Sequence, residues 1–294
     1  MIPIRYVEPV FRPPSEAESL ILPVTDGCSW NRCTFCEMYT APQKAFRARD
    51  EAEVLESIRL AGARYGENIR RVFLADGDAL VLPMRRLLTV LEAIKTHFPA
   101  VRRISSYCLP RNLRKKSQED IDALAAAGLS MVYVGAESGA DAVLAAVDKG
   151  ETYETTREAL DKLGAAGITR SVMILNGLGG KALSDQHADE SARLLNATQP
   201  EYLATLVVSF PQGEARLRAG FPGWVPLDQA ALFAEMERFL SALSLKRTVF
   251  RSDHASNWLV LKGTLGADKA RLLAEVRQAM AGNAVLRPAW ARGL

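Results

Sequence analysis

Short runs of apolar and β-branched residues alternate along this chain with longer stretches in which apolar positions recur every three or four residues, the two signatures of strand and helix. The first run covers residues 19–24. A helical pattern at 50–65 leads to a run at 71–75, a helix opened by Pro83 that reaches His97, and a third run at 103–107. Ser117, followed by Glu119 and Asp120, reads as a helix N-cap, and Gly128 as that helix's stop. A fourth run lies at 131–135, a helix at 152–166 closed by Gly167, a fifth run at 169–175, a helix at 184–198, a sixth run at 202–208 and a helix at 228–243. Two further runs, at 246–250 and 258–262, precede a helix at 267–280.

Six strand–helix pairs in series predict a parallel sheet with right-handed crossovers. Chemically distinctive residues come after five of the six strands. Barrels carry their reactive groups at those strand ends, whereas a doubly wound sheet gathers them at one switch point. The expected fold class is therefore α/β, a partial (β/α)6 TIM-like barrel with a small C-terminal α/β addition. The expected division is an N-terminal extension over 1–18, the barrel over 19–243 and the addition over 244–294. No internal repeat or long linker interrupts the pattern.

Composition narrows the class. With 294 residues, 48% of them apolar, the chain has material for a sizeable core. No long uninterrupted apolar run or leader-like N-terminus is present, so a membrane-spanning or secreted protein is not expected, and a cytoplasmic one is. The formal net charge of +3 neither demands nor excludes nucleic acid.

The most informative chemistry is a trio of cysteines, Cys28, Cys33 and Cys36; Cys108 is the only other cysteine. Such clustering points to a metal centre rather than a disulfide framework. A four-iron cubane wants one ligand per iron, so three thiolates leave one iron open to a ligand. Two other readings remain at this level: a structural zinc site that would enlist Cys108 as its fourth ligand, and a cluster used only for binding or electron transfer.

The strand before this loop, Phe35 immediately before Cys36, and the barrel pattern after it resemble the radical S-adenosylmethionine (SAM) superfamily over roughly residues 19–210. The first cysteine interval holds four residues here, one more than the family's usual three; the second holds the usual two. The stretch Gly135-Ala136-Glu137-Ser138-Gly139, with Lys149-Gly150 after it, resembles a Glu-Ser-Gly branch related to oxygen-independent coproporphyrinogen oxidases and methylthiotransferases. The resemblance implies a [4Fe–4S] cluster on Cys28, Cys33 and Cys36, SAM on the open iron, and reductive cleavage to a 5′-deoxyadenosyl radical that abstracts hydrogen from an unidentified substrate. It further implies an electron donor such as a flavodoxin or ferredoxin. Asp76-Gly77-Asp78 stands where the family often has Gly-Gly-Glu, so the aspartates would accept from the SAM ammonium and Gly77 would permit close backbone approach. Glu137 would hold the SAM amino group or ribose, Ser105 or Ser106 would meet the ribose, and Asn176-Gly177 with the glycines behind it would admit the adenine.

Other residues are candidates on chemistry alone. Cys108, after the third strand, would donate a hydrogen atom or carry a group if it faced the cavity; burial as a small apolar side chain is the competing role. His254, in a polar and aromatic late segment, is a candidate acid or base. Arg111, Arg114, Lys115 and Lys116, with Arg102 and Arg103 nearby in sequence, would receive phosphates or RNA, which makes RNA modification the alternative function; a solvated face is the default. Trp30, Phe35, Tyr39 and Phe46 are expected to pack around the cysteines and exclude water.

Overall fold

The computed structural model describes residues 4–292, and side-chain caps start several of the longer helices. The chain forms two compact units. The first comprises Met1–Asn31, Met38–Val134 and Lys162–Thr169. It holds β1 (Leu20–Pro23), the two-residue strands β2 (Thr25–Asp26) and β3 (Arg47–Ala48), α1 (Glu51–Tyr65), β4 (Arg71–Ala75), α2 (Met84–His97), β5 (Arg103–Tyr107), α3 (Gln118–Ala126) and most of β6 (Leu129–Glu137). β1, β4, β5 and β6 pair in parallel in that order, with Leu20 opposite Val72, Arg71 opposite Arg103 and Tyr107 opposite Tyr133. β2 and β3 make a separate antiparallel ribbon. Asp50 accepts from the Glu53 N–H at 3.0 Å to start α1, and Ser117 and Asp120 form a reciprocal cap on α3.

One face of this sheet, with the helices, supplies a dry core: Val72, Leu74, Ile58, Leu87, Leu91 and Ile94 are all at most 1% exposed. Each such side chain contributes roughly 1.5–3 kcal/mol by leaving water. The other face carries aromatic rings. Phe73, Tyr107 and Tyr133 meet edge to face, with centroids 5.1–6.2 Å apart. Glu16, from the segment before β1, is fully buried there. It accepts from Tyr133 Oη at 2.5 Å and Ser105 Oγ at 2.9 Å, and pairs with Arg103 at 3.1 Å. The N-terminal segment is thus built into the sheet's polar face.

The second unit comprises Arg32–Glu37, Gly135–Asp161 and Arg170–Leu294. Its elements are α4 (Asp141–Ala146), most of α5 (Tyr153–Ala165) and of β7 (Thr169–Asn176), α6 (Gly180–Thr198), β8 (Tyr202–Val207), α7 (Ala215–Gly220), α8 (Gln229–Ala242), β9 (Val249–Ser252), β10 (Leu261–Thr264) and α9 (Lys269–Met280). β7, β8 and β9 are parallel, and β10 returns antiparallel on β9. The two tail strands lie three residues later than the pattern predicts. Thr248 is held by its hydroxyl to the Pro200 carbonyl at 2.6 Å, so pairing begins only at Val249. Asn257 crosslinks its loop to β8, accepting from Val207 N–H and donating to the Thr205 carbonyl, both at 2.8 Å, which postpones β10. α4 and α7, six residues each, are too short to leave a helical period.

Candidate active site

In the first unit, Cys28 comes directly after β2 and the turn at Gly27. Asp26, in β2, binds Arg47 and Arg49 at 2.7 Å each; against the burial that raises it, these guanidiniums hold its carboxyl below the usual range. Gly27 turns the chain with φ of 69°, and a side chain there would strike the Lys44 carbonyl. The segment after β4 then meets the cysteine loop. Gly77 donates its N–H to the Gly27 carbonyl at 3.1 Å, and a Cβ at Gly77 would lie 2.2 Å from that oxygen. Asp78 accepts from the Ser29 N–H at 3.0 Å, from the Ser29 hydroxyl, and from Asn112 Nδ2 at 3.2 Å. Asp76 forms a buried ion pair with Lys44 at 2.5 Å, both side chains at most 2% exposed, and Tyr39 Oη reaches its other oxygen at 3.4 Å. Burial pushes both carboxyls up, against the pull of these donors. The aspartates therefore brace the loop around Cys28 instead of standing open to a ligand, and Gly77 admits loop backbone.

The extra residue of the first cysteine interval is absorbed by three contacts. Ser29 sits on Asp78, the Trp30 ring lies 3.5 Å below the Arg111 guanidinium, and Asn31 takes φ of 45° while donating to the Tyr39 carbonyl at 2.8 Å. Arg111 thus belongs to the loop's support, and Lys116 is buried, donating to the Leu80 and Asn112 carbonyls. Only Arg114 and Lys115 of that basic run are exposed, close in sequence to exposed Glu119, which is a narrow footprint for RNA. Ser106 is fully buried and donates to the Leu74 carbonyl at 3.1 Å, and Ser105 serves Glu16; neither hydroxyl is open for a ribose. Cys108 is 1% exposed, its thiol 3.4 Å from the Leu109 carbonyl, the buried role.

The second unit carries Cys33 and Cys36 in one turn, with Cys36 N–H donating to the Cys33 carbonyl at 3.2 Å. The turn after α4 holds this segment: Thr34 N–H donates to the Val147 carbonyl at 2.9 Å, and Arg32 pairs with Asp148 at 3.0 Å. Phe35 packs against a cluster of Ala140, Val143, Val147, Leu178, Leu217 and Trp224. Next to Asp148 stands Lys149, only 5% exposed, its ammonium 3.0 Å from Glu137 Oε1 and 5.9 Å from the Phe35 ring. Burial works against the ammonium, yet Glu137, Cys33 and Cys36 outweigh it, and its pKa is raised. Lys149 is therefore a charged group beside two of the three thiols.

Glu137 ends β6 with φ of 65°, a left-handed conformation that costs a non-glycine residue about 1–3 kcal/mol and persists where the surroundings impose it. Its Oε2 is buried with no hydrogen-bond partner among the described residues. The turn behind it is clamped by α6. Gly139 N–H donates to Ser191 Oγ at 2.9 Å, Ala140 N–H to Ser138 Oγ at 3.0 Å, and Ser138 Oγ lies 2.8 Å from His187 Nδ1. Burial drives the His187 pKa down to about 4, against a hydrogen bond at the Leu175 backbone. The ring is neutral, and the network assigns Nδ1 as the acceptor of the Ser138 hydroxyl.

The loop after β7 is also braced from a helix. Gly177 donates its N–H to Glu235 Oε1 at 2.7 Å, and Ser184 donates to Oε2 at 2.6 Å. Burial raises Glu235 to about 7. Asn176 is 3% exposed, its Oδ1 without a partner among the described residues, and it lines a cavity of about 20 Å³ with Ser252, Asn257, Trp258 and residues of α8. That volume holds a single water, not an adenine. His254 is exposed, accepts from Ser256 N–H at 3.1 Å, and is lowered by desolvation and by Arg287. Lys44, Lys149, His187 and Glu235 escaped the sequence because each acts on a partner 12 to 58 residues away; only Lys149 left a trace, in the Lys-Gly pair of the resemblance.

A family model described as the radical SAM superfamily matches residues 22–195, more than half of the chain. The chain belongs to the radical SAM superfamily. Solved radical SAM structures share its fold. The radical SAM methyltransferase TsrM from Kitasatospora setae, solved with cobalamin and a [4Fe–4S] cluster, is 21% identical with a TM-score of 0.51, over 64% of this chain and 34% of that one. Coproporphyrinogen III oxidase (HemN) from Escherichia coli is 13% identical with a TM-score of 0.58, over 76% of this chain and 52% of that one. Methylornithine synthase (PylB) is 13% identical with a TM-score of 0.52, over 91% and 69%. The chain spans about a third of the length of TsrM and about half that of HemN. No curated protein sequence matches it. The radical SAM fold here is mixed α/β with a mostly parallel sheet of eight strands, of the partial TIM-like kind.

This radical SAM protein is an enzyme, and its cofactors are a [4Fe–4S] cluster and SAM. The residues present fit them. All four cysteines are thiols rather than disulfides, and Cys28, Cys33 and Cys36 are partly exposed. Three such donors from one loop suit a cubane, each on its own iron. Among the described residues no three Cys, His, Asp or Glu side chains gather closely enough to hold a single metal ion. The buried, unengaged Oε2 of Glu137 is the acceptor a hydroxyl- or ammonium-bearing ligand would require. No helix among the described residues is long and apolar enough to cross a membrane.

Proposed function

We propose that Cys28, Cys33 and Cys36 hold the cluster and that Glu137 receives SAM through Oε2, for hydrogen abstraction from a substrate not yet identified. When bound, the cluster and SAM supply one-electron cleavage of a carbon–sulfur bond and a 5′-deoxyadenosyl radical. Glu137 carries the proposal. Leaving a buried carboxylate oxygen without a donor costs about 1–3 kcal/mol or more, and a SAM hydroxyl or ammonium relieves that cost only in the complex. Lys149 fixes the other oxygen and keeps a positive charge beside Cys33 and Cys36. Asp78, Asp76 and Lys44 hold the Cys28 side of the loop to β4, and Phe35 with the packed cluster beneath it keeps water from the other side. The electron comes from an external donor such as a flavodoxin or ferredoxin, which the cysteine count favours: outside the trio the chain has only Cys108.

The test is anaerobic reconstitution with iron and sulfide, reduction, and assay for 5′-deoxyadenosine. The wild type is expected to hold about four irons per chain and to release the nucleoside from SAM. Alanine at Cys28, Cys33 or Cys36 should abolish both. Zinc-bearing protein that never forms the nucleoside defeats the proposal.

A further inference from the structure

We propose that the starts of β4 and β5 form a second binding site, one for condensed phosphate groups, at the far end of the first unit's sheet from Asp76 and Tyr107. Two arginine dipeptides, Arg70-Arg71 and Arg102-Arg103, open these neighbouring strands. Their backbones are joined: the Arg102 and Arg103 N–H groups both donate to the Arg70 carbonyl, at 2.8 and 3.3 Å. Arg71 and Arg103 are register partners, on strands about 4.8 Å apart. These four residues line an open surface hollow of about 540 Å³.

Like charges on adjacent strands repel, and the local counter-charge is small. Arg103 reaches Glu16 at 3.1 Å, a carboxylate already shared with Ser105 and Tyr133. Arg71 reaches the largely exposed Glu18 only at 3.9 Å, a pair worth little in water. Arg70 and Arg102 are exposed and make no ion pair among the described residues. Glu16 therefore offsets about one of the four cations, Glu18 offsets little, and Arg70 and Arg102 are left with no carboxylate partner among the described residues. A bound anion supplies the remainder. Guanidinium forks match phosphate oxygens two at a time, and exposed Arg70 and Arg102, with Arg71 beside them, suit two linked phosphoryl groups while Arg103 stays on Glu16 and the Ser15 carbonyl. A concave hollow of four residues in a chain of net charge +3 favours a small polyphosphate over an RNA backbone, which needs an extended basic track.

The test uses the 294-residue chain, cluster-loaded, titrated with inorganic pyrophosphate and with ATP without magnesium, beside a 20-residue RNA. Saturable pyrophosphate binding that weakens about tenfold or more in Arg70→Ala/Arg102→Ala, with SAM cleavage and thermal midpoint unchanged, is the expected result. The exposed positions of Arg70 and Arg102 make misfolding of this variant a poor alternative, and the thermal midpoint checks it. No saturable binding, equal binding by the variant, or RNA binding without pyrophosphate binding would each overturn the site. Since this binding requires no SAM turnover, its failure is separate from failure of the proposed reaction.

Discussion

Glu137 joins three conditions that each cost stability: burial, a left-handed backbone and an unengaged oxygen. Replacing it by Gln leaves the Lys149 ammonium buried without its counter-charge, and the chain should lose about 3–5 kcal/mol. Adding Lys149→Met should restore much of that stability, because both halves of the pair are then gone, but should not restore SAM affinity. Denaturation midpoints and SAM equilibrium binding across the wild type, the single and the double variant check this; parallel recovery of both would make Glu137 purely structural. Two further residues set opposing pH dependences. The folded Glu235 pKa, about 7, lies above its ordinary 4.5, so between those values the folded state keeps a proton the unfolded chain releases, and this contribution to stability falls as pH rises. The folded His187 pKa, about 4, lies below 6.5, so between those values the unfolded chain binds the extra proton and stability rises with pH. Each is worth about 3 kcal/mol, and they nearly cancel from pH 4.5 to 6.5. Glu235→Gln should uncover a stability that climbs over that range in urea titrations; a flat profile would contradict the assignment.

At the scale of elements, the cysteine loop depends on the segment that leaves β4. Asp78→Ala removes the acceptor for Ser29 and Asn112 while leaving strand and helix intact. It should lower iron retention after reconstitution several-fold with little change in far-UV circular dichroism. Retention equal to wild type would show that Trp30 on Arg111 and Gly77 on Gly27 suffice. These supports were only partly legible in the sequence. β4 and β5 lie at the expected bounds because a short apolar run between helical patterns has few other solutions. The cysteine trio and Glu137 stood out in the sequence because thiols at close spacing and an acid at a strand end are uncommon, and the proposed function rests on them. The Asp-Gly-Asp stretch was found, but its bonding was not: from composition, an aspartate awaiting a ligand looks the same as one held by Lys44. Asn176 and Ser106 misled for a related reason. Strand alternation gives the face a side chain takes but not which face is open, and both are buried.

At the scale of the molecule, the N-terminal segment is part of the first unit. Glu16→Ala would leave Ser105, Tyr133 and Arg103 facing a buried gap, and should cost about 3–5 kcal/mol, read as an earlier urea midpoint for the first unit's aromatic signal from Tyr107 and Tyr133. A change under about 0.5 kcal/mol, ordinary for a surface site, would mean that water replaces the carboxylate. Glu16 also bears on how the chain is made. Its phenol partner, Tyr133, is 117 residues downstream, and at ordinary synthesis rates roughly 6 to 23 seconds separate their emergence from the ribosome. Through that interval the Glu16 carboxylate lacks its phenol partner, so the polar face of the first unit closes only after β6 has been made.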